Sequence, residues 1–275
     1  MLHRNSLLVT FSVFILIGFG CNNHPEETET PPPAVVSTPL IPYTLIQSLP
    51  HDTNLFTEGL LMHNGKMYES TGSPDDMPAT RSLVGARDLA TGKFEMKAEI
   101  DRSKYFGEGI VFVKGKLFQL TYKNQLGFIY DEQTFKQLGT FSYRNLEGWG
   151  MTTDGTNMIM SDGTDTLTFL NPANQKVVKL LKVTENGLPF NRINELELIK
   201  GFIYANVWMT NNLVKIDTAS GKIVGKIDLS SLEYEARNKN PNADVLNGIA
   251  YDSASDKIYV TGKLWPNIYQ IQFAH

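Results

Sequence analysis

One short phrase recurs five times along the chain, and this repetition constrains the fold more than any other feature. Each copy sets a polar or aromatic residue against an apolar run, usually with a glycine beside it. The copies are Phe56-Thr57-Glu58-Gly59-Leu60, Phe106-Gly107-Glu108-Gly109-Ile110, Leu146-Glu147-Gly148-Trp149-Gly150, Ile193-Asn194-Glu195-Leu196-Glu197 and Leu246-Asn247-Gly248-Ile249-Ala250. Five related phrases in one chain predict five copies of one structural unit.

The spacing between apolar runs predicts what that unit is. A second apolar run begins at a constant distance after the phrase, and third and fourth runs follow, separated by turns rich in Gly, Asn and Asp. The constant distance of ten residues separates Glu58 from Tyr68, Glu108 from Phe118, Trp149 from Ile159 and Asn194 from Tyr204. Four strands in a repeat of about 40 to 50 residues are typical of a β-propeller.

The sequence therefore predicts an all-β domain over residues 43–275, a five-bladed β-propeller with four antiparallel strands per blade. A sandwich or an irregular barrel is the alternative, but neither explains the constant spacing. Residues 43–48 precede the first phrase and have no blade of their own, and residues 267–273 read as a final strand. Because an open ring would leave sheet edges unpaired, we expect these two strands to meet in one sheet. No segment has sustained helical periodicity.

The N-terminal segment predicts export and attachment to a membrane. Residues 7–20 are mostly apolar, are short for a membrane span and end at Cys21, the only cysteine. This junction resembles a bacterial lipobox, so we expect residues 1–20 to be a lipoprotein-type signal peptide and Cys21 to carry acyl chains. A plain signal peptide with an incidental cysteine is the alternative. Residues 21–42 contain three glutamates and Pro31-Pro32-Pro33, which predicts a disordered tether in the bacterial cell envelope, either periplasmic or surface-facing.

Charge and ligand composition exclude two classes of function. The net charge is −4 and there is no run of Lys or Arg, so nucleic acid is not an expected partner. A zinc site of the usual kind is not expected either, because no histidine pair has zinc-ligand spacing and one cysteine is present. Calcium sites built from carboxylates and backbone oxygens remain open. The histidines are His3, His24, His51, His63 and His275.

The ends of the innermost propeller strands gather around the axis, so residues far apart in sequence meet there. The candidates are Glu108 between two glycines, the indoles Trp149 and Trp208, and the strand-end residues Asn194 and Lys263. Each has a plainer interpretation, as a turn carboxylate, a blade-packing indole or a surface lysine. Taken together they predict a pocket with aromatic walls, an acid, an amide and an ammonium. Such a pocket suits a small polar ligand with an apolar stem but does not name a reaction.

Eight collinear motifs from Leu55 to Tyr269 closely resemble glutaminyl-peptide cyclotransferases of the plant and bacterial type. The motifs are YFGEG at 105–109, GFIYD at 127–131, GWGMTTDG at 148–155, SDGT at 161–164, NELE at 194–197, YANVW at 204–208, DVLNGIA at 244–250 and TGKLWP at 261–266. The resemblance implies a five-bladed propeller that converts an N-terminal glutamine of a peptide into pyroglutamate and releases ammonia. It implies metal-independent catalysis with no cofactor, and leaves room for a structural ion such as calcium.

The resemblance also implies roles for individual residues. The family's catalytic acid/base matches Glu108, and its substrate-contacting asparagine and lysine match Asn194 and Lys263. Its pocket aromatics match Phe56, Phe106, Trp149 and Trp208. Two substrate-binding positions depart from the family pattern: Glu58 stands where a glutamine is common, and Tyr122 where a tryptophan is common. Two close carboxylates would raise the pKa of one of them.

In the reaction that this family catalyses, we expect Glu108 to move a proton, and Asn194 and Lys263 to stabilise the oxygen that becomes negative. A non-catalytic, lipid-anchored propeller that binds peptide or glycan ends at the cell surface is the alternative, because a fold alone does not decide function. The joint presence of the acid, the amide, the lysine and the indoles favours the enzyme. We expect a monomer held at the membrane by its lipid.

Overall fold

The computed structural model describes residues 37–275, so the predicted signal peptide, the lipidation site Cys21 and most of the predicted tether lie outside the described residues. The elements are β1 (Tyr43–Pro50), β2 (Phe56–His63), β3 (Lys66–Gly72), β4 (Leu83–Arg87), β5 (Phe94–Glu99), β6 (Gly107–Val113), β7 (Lys116–Thr121), β8 (Leu126–Asp131), β9 (Gln137–Ser142), β10 (Met151–Thr153), β11 (Met158–Met160), β12 (Thr166–Leu170), β13 (Val177–Lys182), β14 (Thr184–Glu185), β15 (Leu188–Pro189), β16 (Ile193–Ile199), β17 (Phe202–Val207), β18 (Asn212–Asp217), β19 (Ile223–Asp228), α1 (Ser230–Lys239), β20 (Leu246–Asp252), β21 (Lys257–Gly262) and β22 (Asn267–Phe273).

Twenty of these strands form five four-stranded antiparallel sheets arranged as the blades of a propeller, and β14 and β15 form a separate two-stranded sheet. Blades 1 to 4 are β2–β5, β6–β9, β10–β13 and β16–β19, each in simple sequence order. Blade 5 has the order β20, β21, β22 and β1, so the first strand of the domain pairs with the last, with Tyr43 opposite Phe273. The predicted five blades and the predicted meeting of the terminal strands are confirmed.

Burial falls from the inner strand of a blade to its outer strand. In blade 2, β6 is buried along its whole length, whereas β9 is exposed at most positions. The inner strand packs against its neighbours on both sides, so its residues are almost continuously apolar. Between blades, apolar faces interlock; for example, Phe118 and Phe141 of blade 2 pack with Met151 and Met158 of blade 3.

One element, the helix α1 between blades 4 and 5, was not predicted from the sequence. It buries Leu232 and Ala236 against the core and exposes most of its remaining surface. Glu235 and Lys239 form an ion pair across one turn at 2.7 Å, a contact that supports an exposed helix. Two buried positions in ten residues are too few to produce a readable helical periodicity, which is why the sequence pattern did not predict a helix here.

The chain contacts the propeller before β1 begins. The Ile41 N–H donates to the Lys226 carbonyl oxygen at 2.7 Å, and the Lys226 N–H donates to the Pro39 carbonyl oxygen at 2.9 Å. These bonds cover part of the open edge of β19. The segment just before Tyr43, which the sequence placed in the tether, therefore lies against blade 4. Within the part of the chain that the structure describes, no helix has the length and apolar character needed to cross a membrane.

A fully buried ion-pair network joins blade 5 to blade 1. The Glu69 carboxylate accepts from Arg87 at 2.6 Å and from the Thr57 hydroxyl at 2.8 Å. His51, which follows β1, has one ring nitrogen 3.0 Å from Glu69 and the other 2.6 Å from the Trp265 carbonyl oxygen. Burial by itself would raise the pKa of Glu69, but the neighbouring His51 and Arg87 lower it to about 2.

We predict that Glu69→Gln lowers the free energy of unfolding by about 3–5 kcal/mol, because the Arg87 guanidinium stays buried without a counter-charge. Since folding lowers the pKa of Glu69 from 4.5 to about 2, the ionised group stabilises the fold above pH 4.5, and this contribution is lost as the pH falls towards 2. Urea unfolding of wild type and variant should show the full difference at pH 7 and a shrinking one below pH 4.5.

The matched control is Glu95→Gln on β5, whose carboxylate is exposed and pairs with Lys97. Its unfolding free energy should stay within about 0.5 kcal/mol of wild type. A difference between Glu69→Gln and wild type that does not depend on pH would contradict the assigned role of the Glu69 charge.

Candidate active site

A cavity of about 580 Å³ opens at the end of the propeller where the innermost strands begin. All nine residues that the sequence predicted as catalytic or substrate-binding line it, although Glu58 and Lys263, for example, are 205 positions apart in the chain. Every blade contributes at least one of them. The nine residues are Phe56, Glu58, Phe106, Glu108, Tyr122, Trp149, Asn194, Trp208 and Lys263.

A β-bulge occurs at the equivalent place in four of the five inner strands and re-aims the central side chain of the repeated phrase. The pairing of the inner strand with its neighbour shifts at Glu58 in β2, at Glu108 in β6, at Asn194 in β16 and at Asn247 in β20. A bulge inserts one extra residue and re-aims its side chain. The phrase repeated in the sequence is therefore a repeated bulge, whose equivalent positions carry different functional groups. In blade 3 the phrase lies just before β10 and presents Trp149.

Glycines beside the bulges allow adjacent blades to approach closely. The Gly109 N–H donates to the Trp149 carbonyl oxygen at 2.7 Å. A Cβ on Gly109 would lie 2.6 Å from that oxygen and from the Met151 nitrogen, and one on Gly150 would lie 2.3 Å from the Asn194 carbonyl oxygen. Real Cβ atoms do not come so near. The backbone of blade 3 leaves no room for a side chain at position 109, so a glycine is required directly after Glu108.

Glu58 is held by two side chains of blade 5. The Lys263 ammonium donates to its Oε1 at 2.7 Å, and the Asn247 amide donates to its Oε2 at 3.1 Å. The ammonium also lies 4.7 Å from the centre of the Phe56 ring, within range of a cation–π contact. Burial raises the pKa of Glu58 to about 7, against the lowering effect of Lys263. Glu58, one of the two positions that differ from the expected pattern, thus forms a buried ion pair with Lys263.

Glu108 has a different environment. Its side chain is buried, and no hydrogen bond from the described residues acts to lower the pKa of its carboxyl group. Burial first, and the negative charge of Glu58 second, raise the pKa of Glu108 well above its usual 4.5, while Lys263 opposes them. The predicted effect of the second carboxylate is present, but burial is the larger cause. A carboxyl group whose pKa is raised in this way holds a proton more readily than an ordinary glutamate, as an acid/base group must.

Two groups of aromatic rings form the cavity walls. Trp149 and Trp208 meet edge to face with ring centroids 5.6 Å apart, and the Trp149 indole N–H donates to Glu147 at 2.9 Å. Aromatic walls bind methylene groups and keep water out. The second group consists of Phe106 with Phe56 at 6.1 Å and Tyr122 at 6.0 Å.

Asn194 carries an unsatisfied acceptor at the cavity. Its Oδ1 is buried and has no donor among residues 37–275. The Ser161 hydroxyl donates to the Asn194 carbonyl oxygen at 2.6 Å, which holds the bulge in place. A buried oxygen without a donor costs about 1–3 kcal/mol. A ligand N–H placed there would remove that cost.

Sequence reasoning did not assign Asn247 to the site. It is fully buried in the bulge of β20, and its amide donates both to Glu58 and to the Thr57 carbonyl oxygen at 3.0 Å. The signal was available, because residues 246–250 are one of the five repeated phrases. Asn247 does not line the cavity itself, and it acts on the site by orienting the Glu58 carboxylate.

Glu195, the buried acid next to Asn194, links blade 4 to the backbone of two other blades. Glu195 accepts from the backbone N–H of Ile249 in blade 5 at 2.8 Å and of Leu60 in blade 1 at 3.3 Å. Burial, followed by the charge of Glu197, raises the pKa of Glu195 well above its usual value.

Over the described range 37–275, no three His, Cys, Asp or Glu side chains lie close enough together to hold a metal ion.

Comparisons with known proteins agree on one family. The family model described as glutamine cyclotransferase matches residues 15–273. A glutaminyl-peptide cyclotransferase of Arabidopsis thaliana is 38% identical over 230 residues, which cover 83% of this chain and 70% of that protein. The crystal structure of Myxococcus xanthus glutaminyl cyclase superimposes with a TM-score of 0.75 at 34% identity, covering 86% of this chain and 98% of that one.

Proposed function

The chain belongs to the glutamine cyclotransferase family, and on that premise we propose that it is a glutaminyl-peptide cyclotransferase whose chemistry takes place around Glu108. It converts the N-terminal glutamine of a peptide or protein into pyroglutamate and releases ammonia. The observation that carries the proposed site is that two buried glutamates, one amide, one ammonium and several aromatic rings line a single cavity, to which every blade contributes.

The reaction is an intramolecular acyl transfer. The α-amine nitrogen of the substrate attacks the carbon of its own γ-carboxamide, and a new C–N bond closes a five-membered ring. The bond from that carbon to the amide nitrogen then breaks, and the nitrogen leaves as ammonia. Nucleophile and electrophile are already joined, so the protein's main task is to hold the folded-back conformer. The aromatic walls perform this task by packing against the glutamine methylenes.

Glu108 carries the proton. The ionised carboxylate accepts a proton from the attacking amine and returns it to the departing nitrogen, which must be protonated to leave. A free α-amine titrates at about 7.7–8.0, and a raised pKa makes Glu108 a better acceptor for its proton than an ordinary carboxylate would be. The Glu108 carboxylate receives no hydrogen bond from the described residues that lowers its pKa, which leaves it available to the substrate.

Lys263 and Asn194 contact the two ends of the reacting amide. Lys263 donates to the γ-oxygen, which becomes negative in the tetrahedral intermediate. Glu58 and Asn247 hold that ammonium in position through the ion pair at 2.7 Å and the hydrogen bond at 3.1 Å. Asn194 accepts an N–H of the substrate at its unsatisfied Oδ1, which favours the conformer in which nucleophile and electrophile meet.

We also propose that the protein is exported and anchored through a lipid on Cys21, as a monomer in the cell envelope. The support is the apolar run that ends at the single cysteine, followed by the Pro- and Glu-rich segment. Mass spectrometry of the mature N-terminus should find an acylated Cys21. An unmodified cysteine or a cleavage site elsewhere would contradict the anchor and leave the catalytic proposal intact.

We predict that Glu108→Gln lowers kcat by about 10²–10⁴, because the amide cannot accept or return a proton. Ammonia release from a peptide that begins with glutamine measures the effect, and an unchanged melting temperature shows that the fold is intact. Peptides that begin with asparagine or carry a blocked amine should release no ammonia. The control Glu132→Gln alters a carboxyl group outside the cavity and should keep activity. Turnover by Glu108→Gln close to wild type would reject the proposed shuttle.

We predict that Glu58→Gln moves the acidic limb of the kcat/KM profile to lower pH. The substitution removes a negative charge near Glu108 and leaves the Lys263 charge uncompensated, and both changes lower the pKa of Glu108. Because the shuttle must be ionised to accept the amine proton, activity then persists at lower pH. The profile of kcat/KM against pH measures this shift. An unmoved limb, or one displaced to higher pH, would show that Glu58 does not act on Glu108.

A further inference from the structure

The cavity extends well beyond the groups that handle the glutamine residue, and it does so in one direction. Its volume of about 580 Å³ is in the range that accommodates drug-sized ligands. On the side of blades 3 and 4 it is bounded by the edge-to-face pair Trp149 and Trp208. The outer wall comes from blades 1 and 2, from the loops 73–82, 100–106 and 122–125. A peptide whose first residue lies beside Glu108 therefore continues over blades 1 and 2.

The loop 73–82 is built as a fixed wall of this outer part. It spans ten residues between the second and third strands of its blade, whereas the other blades use four or five at 122–125, 161–165, 208–211 and 263–266. Arg102 from the next loop holds it through carbonyl oxygens at 2.9–3.2 Å. The three acceptors are the carbonyl oxygens of Pro74, Pro78 and Thr80.

Three cationic side chains and one acidic side chain line this outer part. Arg102 is half-buried and has no carboxylate within ion-pair distance in the described part of the chain. Lys104 and Lys123 are exposed, and their carboxylate partners lie at 2.9 Å and 3.7 Å on the surface. Such exposed pairs are weak, so a substrate carboxylate can replace either partner. Asp75 is the one acidic residue that the described structure places in this outer lining.

We propose that this outer groove, defined by loop 73–82, Arg102, Lys104 and Lys123, binds the second and third residues of the substrate and favours acidic side chains there. The inference rests on the proposed function, because it assumes that the N-terminal glutamine occupies the inner cavity. Complementary charge at a rim steers association and selects among partners. The preferred substrates are accordingly peptides in which glutamine is followed by Asp or Glu.

The test compares three pentapeptides that begin with glutamine and carry Glu-Glu, Ala-Ala or Lys-Lys at positions two and three. Ammonia release at low ionic strength should give the highest kcat/KM for the Glu-Glu peptide and the lowest for Lys-Lys. The difference should lie mainly in KM, about two- to fivefold for each charge, and should shrink at high salt. Equal kcat/KM values for the acidic and neutral peptides would contradict the proposal that the groove favours acidic side chains.

Variants then locate the effect. The double change Lys104→Gln with Lys123→Gln should bring the Glu-Glu to Ala-Ala ratio close to one, and Asp75→Asn should increase it. The matched control is Lys239→Gln on α1, a similarly exposed lysine outside the cavity lining, which should keep the wild-type ratio. A ratio that the double variant leaves unchanged, or that the control changes equally, would overturn the assignment to these lysines.

Binding separates this inference from the proposed reaction. The same peptides are titrated into the Glu108→Gln protein by calorimetry. Tighter binding of the acidic peptide with no ammonia release by the wild-type protein would support the groove and reject the cyclotransferase function. Ammonia release with equal binding of all three peptides would support the function and reject the groove.

Discussion

The pairing of the first strand of the domain with the last is the contact on which the rest of the structure depends. Through β1 and β22, blade 5 is assembled from both ends of the chain and the ring closes without open inner edges. Closure brings His51 to the buried Glu69 and Arg87 of blade 1. It also lets Glu195 bond to backbone groups of two other blades across the axis. The inner strands converge because the ring is closed.

Convergence produces the site. Four of the five inner strands have a bulge at the mouth of the cavity. At equivalent positions of the repeated phrase, the blades supply an acid, a second acid, an indole, an amide and a supporting asparagine. The arrangement gives the two acids different tasks. Glu58 is committed to Lys263 and Asn247, whereas Glu108 has no such partner, and burial raises its pKa well above the usual value. One carboxylate holds the ammonium, and the other is the group that we propose exchanges protons with a substrate.

Most of this could be predicted from the residues because the repeat encodes it directly. The constant spacing from phrase to second strand specified the blades, and the equivalence of the phrases predicted that their central residues would meet. The predictions failed where the signal lay in partners distant in the chain. Nothing local in α1 shows that Leu232 and Ala236 will be buried. Nothing local in residues 246–250 shows that Asn247 will reach Glu58, 189 positions away.

The sequence by itself determined the blade count, the strand order, the membership of the site and the presence of a second acid at Glu58, since these follow from periodic patterns and residue types. Tertiary structure decided that Glu58 pairs with Lys263 and is not free beside Glu108, that the glycine at 109 makes room for blade 3, and that the cavity continues over blades 1 and 2. The physical reason is the same in each case. Burial, charge pairing and steric contact depend on distances between blades, and those distances exist only after the ring has closed.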